Sequence, residues 1–236
     1  MAVHLEQMLQ AAAPVSDLPT IERGSTLTEQ VYDRLRHGLL VGMWDPGEKI
    51  TARRICKDLG VSLTPAREAM VRLANEGALD VALNRTFSAA TLTLAEYREI
   101  AKIRIALEPL AAEAAAPRIE KAQIQQLEKV NEALAAAIGE ERFRDALLLD
   151  SEFHLTLYRA SDQPTLMGII DRLWLRAGPT RNRLSHNYRR SLAGYENHKA
   201  VIAALRAQDP VQARAVITRD LVDGTRRIIA HFETGE

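Results

Sequence analysis

Apolar residues recur every three to four positions along most of this chain, and Gly and Pro interrupt them at short intervals. That period predicts helices almost throughout. Leu27, Val31, Leu35 and Leu39 stand one turn apart and mark a helix near 26–41, which Gly42 and the Asp45-Pro46-Gly47 turn end. Residues 50–77, ITARRICKDLGVSLTPAREAMVRLANEG, hold two more helices. Thr51 caps the first, over about 51–58, and Gly60 permits a sharp turn. Ser62 is placed to cap the second, with Pro65 in the first turn, where a missing N–H costs nothing. Ala66, Met70, Leu73 and Ala74 form its inward face, Gly77 stops it, and Thr64 and Arg67 lie opposite.

The pattern changes at 78–90. Short alternating apolar positions flank Asn84-Arg85, which predicts a small hairpin. From Leu94 the helical period returns, over 94–116, 120–138, 141–160, 163–177, 190–207 and 210–231. Pro117, Gly139, Pro164, Gly178-Pro179 and Asp209-Pro210 mark the breaks, and Pro109 is expected to kink the first of these helices. The fold class is therefore mainly α. A winged helix-turn-helix spans 23–90, an all-α antiparallel helical bundle spans 94–232, and 1–22 reads as a loosely ordered arm.

A two-helix unit with a tight Gly turn, followed by a hairpin, commonly places its second helix in the major groove of DNA. Composition limits how it would do so. The 236 residues carry 31 basic and 31 acidic side chains, a net charge of zero, which excludes a binder relying on bulk positive charge. Affinity must come from a few well-placed cations, doubled by dimerisation. With 47% apolar residues there is enough material for a substantial core. Cys56 is the single cysteine, so no disulfide forms within one chain, which fits a reducing cytoplasm. No apolar run reaches the length of a membrane span, and the first residues lack the basic and apolar regions of a secretory signal.

Residues 27–90 resemble the winged-helix domain of GntR-type bacterial transcription regulators. The likeness rests on Val31-Tyr32, Leu35-Arg36, Gly42, Pro46-Gly47, Arg53, Leu59-Gly60-Val61-Ser62, Thr64-Pro65, Arg67-Glu68-Ala69, Leu73 and Glu76-Gly77. Arg104 to Leu110 (RIALEPL), Asp150-Ser151-Glu152-Phe153-His154 and His198 look like the all-helical ligand-binding domain of the FadR-type subgroup, called FCD. The resemblance implies a homodimer on a short palindromic operator, with a small effector in the helical domain changing operator affinity. It places Arg53 and Arg67 where the family uses arginine on DNA. From its position alone, Arg67 projects from the outer face of its helix and can meet guanine bidentately or grip a phosphate. Ser62 and Thr64 lie at the same helix start, and Arg85 at the wing tip reaches toward the minor groove. Two positions depart from the family. Leu63 stands where arginine is usual, which removes a contact worth roughly 1–3 kcal/mol of base discrimination. Thr86 stands where the wing turn usually has glycine. Both are expected to alter the operator sequence.

Asp150 and His154 are one turn apart, on a helix face that also holds Leu147, Phe153 and Leu157. A carboxylate in an apolar stripe is costly unless it is paired or ligates a metal. His198 shares its face with Tyr195, Val201 and Leu205, and Asp220 shares one with Ala213, Val216, Ile217 and Gly224. In the FCD subgroup an Asp-x-x-x-His pair joins two later histidines around a divalent metal. His198 fits the first of these, and the position of the second holds Asp220. The implied ligands are Asp150, His154, His198 and Asp220, for zinc, manganese or nickel; aspartate in place of histidine moves preference toward the harder manganese or magnesium. The alternative is a metal-free cluster in which the aspartates bond the histidines or an arginine. Arg104, with Ile100, Leu107 and Ala111 around it, either enters the bundle to meet an effector carboxylate or pairs with Glu108 or Asp150. Arg172, Arg176, Arg181 and Arg183 line a pocket or a dimer surface.

These features predict a regulator, repressing transcription, whose effector is a small organic or sugar acid. Two other readings stay open: a metal-dependent enzyme acting on small acids, and a ligand-binding dimer with impaired DNA binding. Against an enzyme, no general base stands in a known metal motif.

Overall fold

Thr26 and Glu29 start the first helix by capping one another. The Glu29 amide donates to the Thr26 hydroxyl at 3.2 Å, and the Thr26 amide donates to the Glu29 carboxylate at 2.8 Å. In this computed structural model, which describes residues 26–82, 86–184 and 192–234, that helix is α1 (Leu27–Leu40). The arm at 1–22 and Arg85 lie outside the described residues.

Thr51 caps α2 (Ala52–Leu59) through the Arg54 amide, and Gly60 closes it with φ of 66°, a conformation that favours glycine. Ser62 occupies the N-cap position of α3 (Leu63–Asn75), but its hydroxyl accepts no cap hydrogen bond. A cap bonds the second or third amide of a helix, and the third residue here is Pro65, which has no N–H, so only the Thr64 amide stands within reach.

The hairpin forms as β2 (Leu79–Val81) and β3 (Phe87–Ala89), paired antiparallel with Asp80 opposite Ser88. A further strand, β1 (Lys49–Ile50), pairs with the other edge of β3 and completes a sheet of order β1-β3-β2. Two residues are too few for alternation to register, so the sequence pattern missed it. Val31, Leu35, Leu39, Ile55, Met70 and Leu73 form the core beneath.

The helical domain comprises α4 (Leu94–Ala115), α5 (Lys121–Gly139), α6 (Phe143–Arg159), α7 (Pro164–Ala177), a 3-10 helix (Gly178–Arg183), α8 (Ala193–Arg206) and α9 (Pro210–Thr234). Thr93 and Glu96 cap α4 reciprocally, as Thr26 and Glu29 cap α1. Helix α4 continues through Pro109 to Ala115. The break expected at Gly178-Pro179 is instead the 3-10 helix, because Pro179 near a helix start forfeits no bond the helix needs.

Helix α4 packs on α6, α7 and α9; α5 packs on α6 and α8; and α9 lies along α8. The interior they enclose is filled by Phe153, Leu157, Trp174, Val201, Leu205 and Ile217, each fully or almost fully buried. A side chain of this size contributes about 1.5–3 kcal/mol when buried, so these apolar stripes hold the polar face of α6 inward with the rest of the helix.

The two domains meet along α1. Arg36 pairs with Asp171 of α7 at 2.8 Å, and the Asn182 side-chain amide donates to the Gly42 carbonyl at 2.9 Å.

Candidate functional site

The inward face of α6 brings Asp150 and His154 to the centre of the bundle, α8 brings His198, and α9 brings Asp220. Asp150, His154 and His198 each offer a ligand atom, and the three atoms lie within 4.8 Å of one another. His154 Nε2 is 3.2 Å from His198 Nε2 and 3.2 Å from Asp220 Oδ2. Asp150 Oδ1 lies 3.9 Å from His154 Nε2 and 3.7 Å from His198 Nε2. Asp220 thus joins the cluster through His154, while its other oxygen accepts from Asn197 at 2.8 Å.

Hydrogen bonds behind the histidines decide which nitrogen faces inward. Asn131 donates its amide to the Tyr195 carbonyl at 3.1 Å, which leaves its oxygen to accept. His198 Nδ1 sits 3.0 Å from that oxygen and so must carry the proton, turning an unprotonated Nε2 toward the centre. On the other side, Tyr158 is hydrogen-bonded to Glu108, which is fully buried and held by the Arg104 Nε at 2.5 Å. The Tyr158 hydroxyl, spent as a donor, accepts from His154 Nδ1 at 3.1 Å. An ordered relay therefore runs from Arg104 through Glu108 and Tyr158 to His154, with His198 and Asn131 beyond. Outer partners of this kind fix ring orientation at metal sites.

The charges are shared unevenly. Burial and the neighbouring His154 push His198 down to about 4 from its ordinary 6.5. Burial opposes charge on His154 too, but the Asp220 hydrogen bond and the Asp150 and Asp220 charges outweigh it and raise its pKa. Burial works to raise Asp220 as well, yet the His154 bond and charge bring it down to about 2. Without a metal, the arrangement is a His154–Asp220 ion pair beside a neutral His198. Two imidazole nitrogens and a carboxylate within ligating reach, each oriented from behind, form a donor set that fits a divalent ion.

Asp150, His154 and Asp220 line a cavity of about 140 Å³, and His198 is buried behind them. Arg104 and Arg181 line it too, both guanidinium groups lying over the Trp174 ring at 4.5 and 5.1 Å from its centre. Arg104 pairs with Glu108, one of the two partners expected for it, and also lines the cavity. Its other expected partner, Asp150, is taken by Arg181 at 2.5 Å. Of Arg172, Arg176, Arg181 and Arg183, Arg181 lines the cavity, Arg172 and Arg176 are exposed, and the Arg183 side chain lies outside the described residues. Tyr158 and Asn131 were missed in the sequence although each carried a signal: a polar residue one turn from His154, and a polar residue in the apolar stripe of Leu127, Val130 and Leu134.

A second surface lies at the start of α3. Arg53, Ser62, Leu63, Thr64 and Arg67 are all exposed, Leu63 at 44%. Among the described residues neither Arg53 nor Arg67 pairs with a carboxylate, whereas nearby Arg54 binds Asp58 and Arg72 binds Glu76. Arg72 also stacks on Tyr32, whose hydroxyl donates to Glu76 at 2.6 Å. The domain thus separates arginines that brace it from arginines it leaves to solvent. The uncapped start of α3 adds amides that favour an anion.

Residues 27–87 match the family described as bacterial regulatory proteins, gntR family, and residues 99–223 match the FCD domain. The chain is 31% identical to the HTH-type transcriptional regulator McbR of Escherichia coli over 186 residues, 78% of this chain and 84% of that protein. It is 28% identical to the HTH-type transcriptional repressor RspR of Escherichia coli over 62% of this chain and 64% of that one. The solved structure of E. coli McbR/YncC superposes with a TM-score of 0.80 at 28% identity, covering 90% of this chain and 99% of the other.

Proposed function

The chain belongs to the GntR family of bacterial regulatory proteins and carries an FCD domain, and from that premise we propose that it is a homodimeric repressor released or engaged by a small carboxylate effector. The family is one of DNA-binding transcription regulators rather than enzymes, so the reading as a metal-dependent enzyme is set aside. The observation that carries the effector reading is a cavity lined by Asp150, His154 and Asp220 together with Arg104 and Arg181, with His198 Nε2 3.2 Å from His154 Nε2.

In this reading Asp150, His154, His198 and Asp220 hold a divalent ion, of which zinc, manganese and nickel suit a mixed imidazole and carboxylate set. When bound, the ion would supply positive charge to hold an anionic group. Arg104 and Arg181 orient that group through their planar forks, and the apolar wall excludes competing water.

At the other end, Arg53, Ser62, Leu63, Thr64 and Arg67 on the described surface, with Arg85, read a palindromic operator. Dimerisation is supported by the exposed apolar residues Ile103 and Leu110 on α4 and Ile169 on α7, two helices packed side by side. RspR, a relative named as a repressor, supports that sign of regulation. Among the described residues no helix is long and apolar enough to cross a membrane; the proposed DNA-reading role is what supports a cytoplasmic location.

The test is selection of bound sequences from random duplexes, followed by mobility shift with and without metal and a panel of small carboxylates. A two-fold symmetric site whose affinity changes with one metal and one acid supports the reading. No sequence enrichment would overturn it.

A further inference from the structure

The 3-10 helix Gly178–Arg183 carries two adjacent side chains that face opposite domains. Arg181 is buried in the helical domain, where it binds Asp150 Oδ2 at 2.5 Å and donates to the Ser151 hydroxyl at 2.6 Å. Ser151 in turn donates to the Leu147 carbonyl one turn back, so the guanidinium is anchored along α6. Asn182, the next residue, faces the winged helix. Its side-chain amide lies 2.9 Å from the Gly42 carbonyl, 3.4 Å from the Trp44 carbonyl and 3.1 Å from Asp45 Oδ1. These atoms form the turn that ends α1 and leads to the sheet.

We propose that this segment is the coupling element between pocket and DNA-reading domain: Arg181 senses the occupancy of Asp150, and Asn182 transmits the resulting shift to the Gly42–Asp45 turn. The proposal rests on the reading of the helical domain as an effector domain.

The fit at both ends leaves little slack. A Cβ placed on Gly42 would lie 2.0 Å from Asn182 Oδ1, and Gly42 has φ of 65°. A Cβ on Gly178 would lie 2.9 Å from the Leu39 carbonyl oxygen, so the start of the segment also runs against α1. Packing this close transmits a displacement rather than absorbing it. The segment itself is the compliant part. Six residues of 3-10 geometry are longer than most such runs, whose hydrogen bonds are poorer than α-helical ones, and such stretches often act as hinges.

The trigger follows from charge. Asp150 turns Oδ1 toward the two histidines and Oδ2 toward Arg181, so a divalent ion on Oδ1 would weaken the charge that Oδ2 offers Arg181, and an effector carboxylate offers Arg181 a second bidentate partner. Either event shifts the Arg181 head, and Asn182 is its covalent neighbour. An effector can move the equilibrium only through contacts that differ between the two states, and the Arg181–Asp150 pair is such a contact. Arg36–Asp171 also joins the domains, but it lies on α1 and α7, outside the segment and away from the cavity.

Hydrogen–deuterium exchange on the protein tests this with two triggers, Zn²⁺ against chelator and the substitution Asp150→Ala, which takes the Asp150 carboxylate from Arg181 without any ligand. Both triggers are expected to change amide exchange about threefold or more in residues 178–184 and in residues 40–47. Asn182→Ala, with Asn182→Asp as a second variant of native size, is expected to abolish the change at 40–47 while sparing that at 178–184 and Zn²⁺ uptake. Arg36→Ala is expected to keep both changes. An unresponsive 40–47 segment in the wild type under both triggers overturns the proposal, as does an undiminished response in the Asn182 variants. If Zn²⁺ does not bind, the Asp150→Ala arm still decides. Failure of the regulator reading would appear separately, as absent operator binding by the wild type.

Discussion

The Asn131 carboxamide oxygen accepts the Nδ1 proton of His198 at 3.0 Å, and this contact alone fixes which imidazole nitrogen faces Asp150 and His154. Asn131 itself is pinned by its bond to the Tyr195 carbonyl. Asn131→Leu keeps the volume but removes the acceptor. Metal affinity is expected to fall about 10–100-fold, as for other outer-sphere partners, with the stoichiometry unchanged. Competition against a chromophoric chelator measures it, and an unaltered affinity would show that His198 does not ligate through Nε2.

Removal of the metal should cost stability through mass action. At a free-ion concentration of 100 times Kd, a native-state ligand adds about 2.7 kcal/mol. A chelator is therefore expected to lower the melting temperature of the wild type, and to leave that of His154→Ala unchanged. An equal chelator effect on both proteins would place the ion elsewhere.

The metal-free protein should lose stability on mild acidification. The His198 pKa is depressed, to about 4 against an ordinary 6.5. Below 6.5 the unfolded chain takes up a proton that the folded chain refuses until about 4, so stability falls as pH drops across that window. His154 acts in the opposite sense. Its raised pKa contributes stability that is full below 6.5 and fades as pH rises through the folded value, so it does not mask the loss. Denaturant titrations from pH 7.5 to 4 should show the decline, flattened in His198→Gln.

On the DNA face, Arg67→Ala is expected to weaken operator binding by about 1–3 kcal/mol and to relax preference at one position, as loss of a bidentate base contact does. Arg72→Ala should instead lower thermal stability, because Arg72 braces Tyr32 and Glu76. Leu63→Arg should change the selected operator. An identical selected sequence would sink the idea that Leu63 sets base preference.

Much of this was legible in the one-dimensional pattern, since helix periods and Gly or Pro breaks are local. The bounds of α4 and α7 follow Thr93, Pro117, Pro164 and Gly178 closely for that reason. Ser62 has the residue type of a cap, but its hydroxyl bonds no helix amide, and Pro65 removes one of the two amides a cap can use. Strand β1 escaped because its identity depends on β3, 37 residues later, rather than on its own two residues.

The sequence by itself determined that α6, α8 and α9 turn Asp150, His154, His198 and Asp220 inward, because each sits on an apolar stripe that must be buried. It also determined the exposed face of α3, where Leu63, Thr64 and Arg67 oppose the core residues Ala66, Met70 and Leu73. Only the tertiary structure decided that Arg181, rather than Arg104, binds Asp150, and that Asn182 reaches Gly42. Both contacts join residues far apart in the chain, and the partner of a long, flexible cation is set by which carboxylate the folded helices bring within its reach.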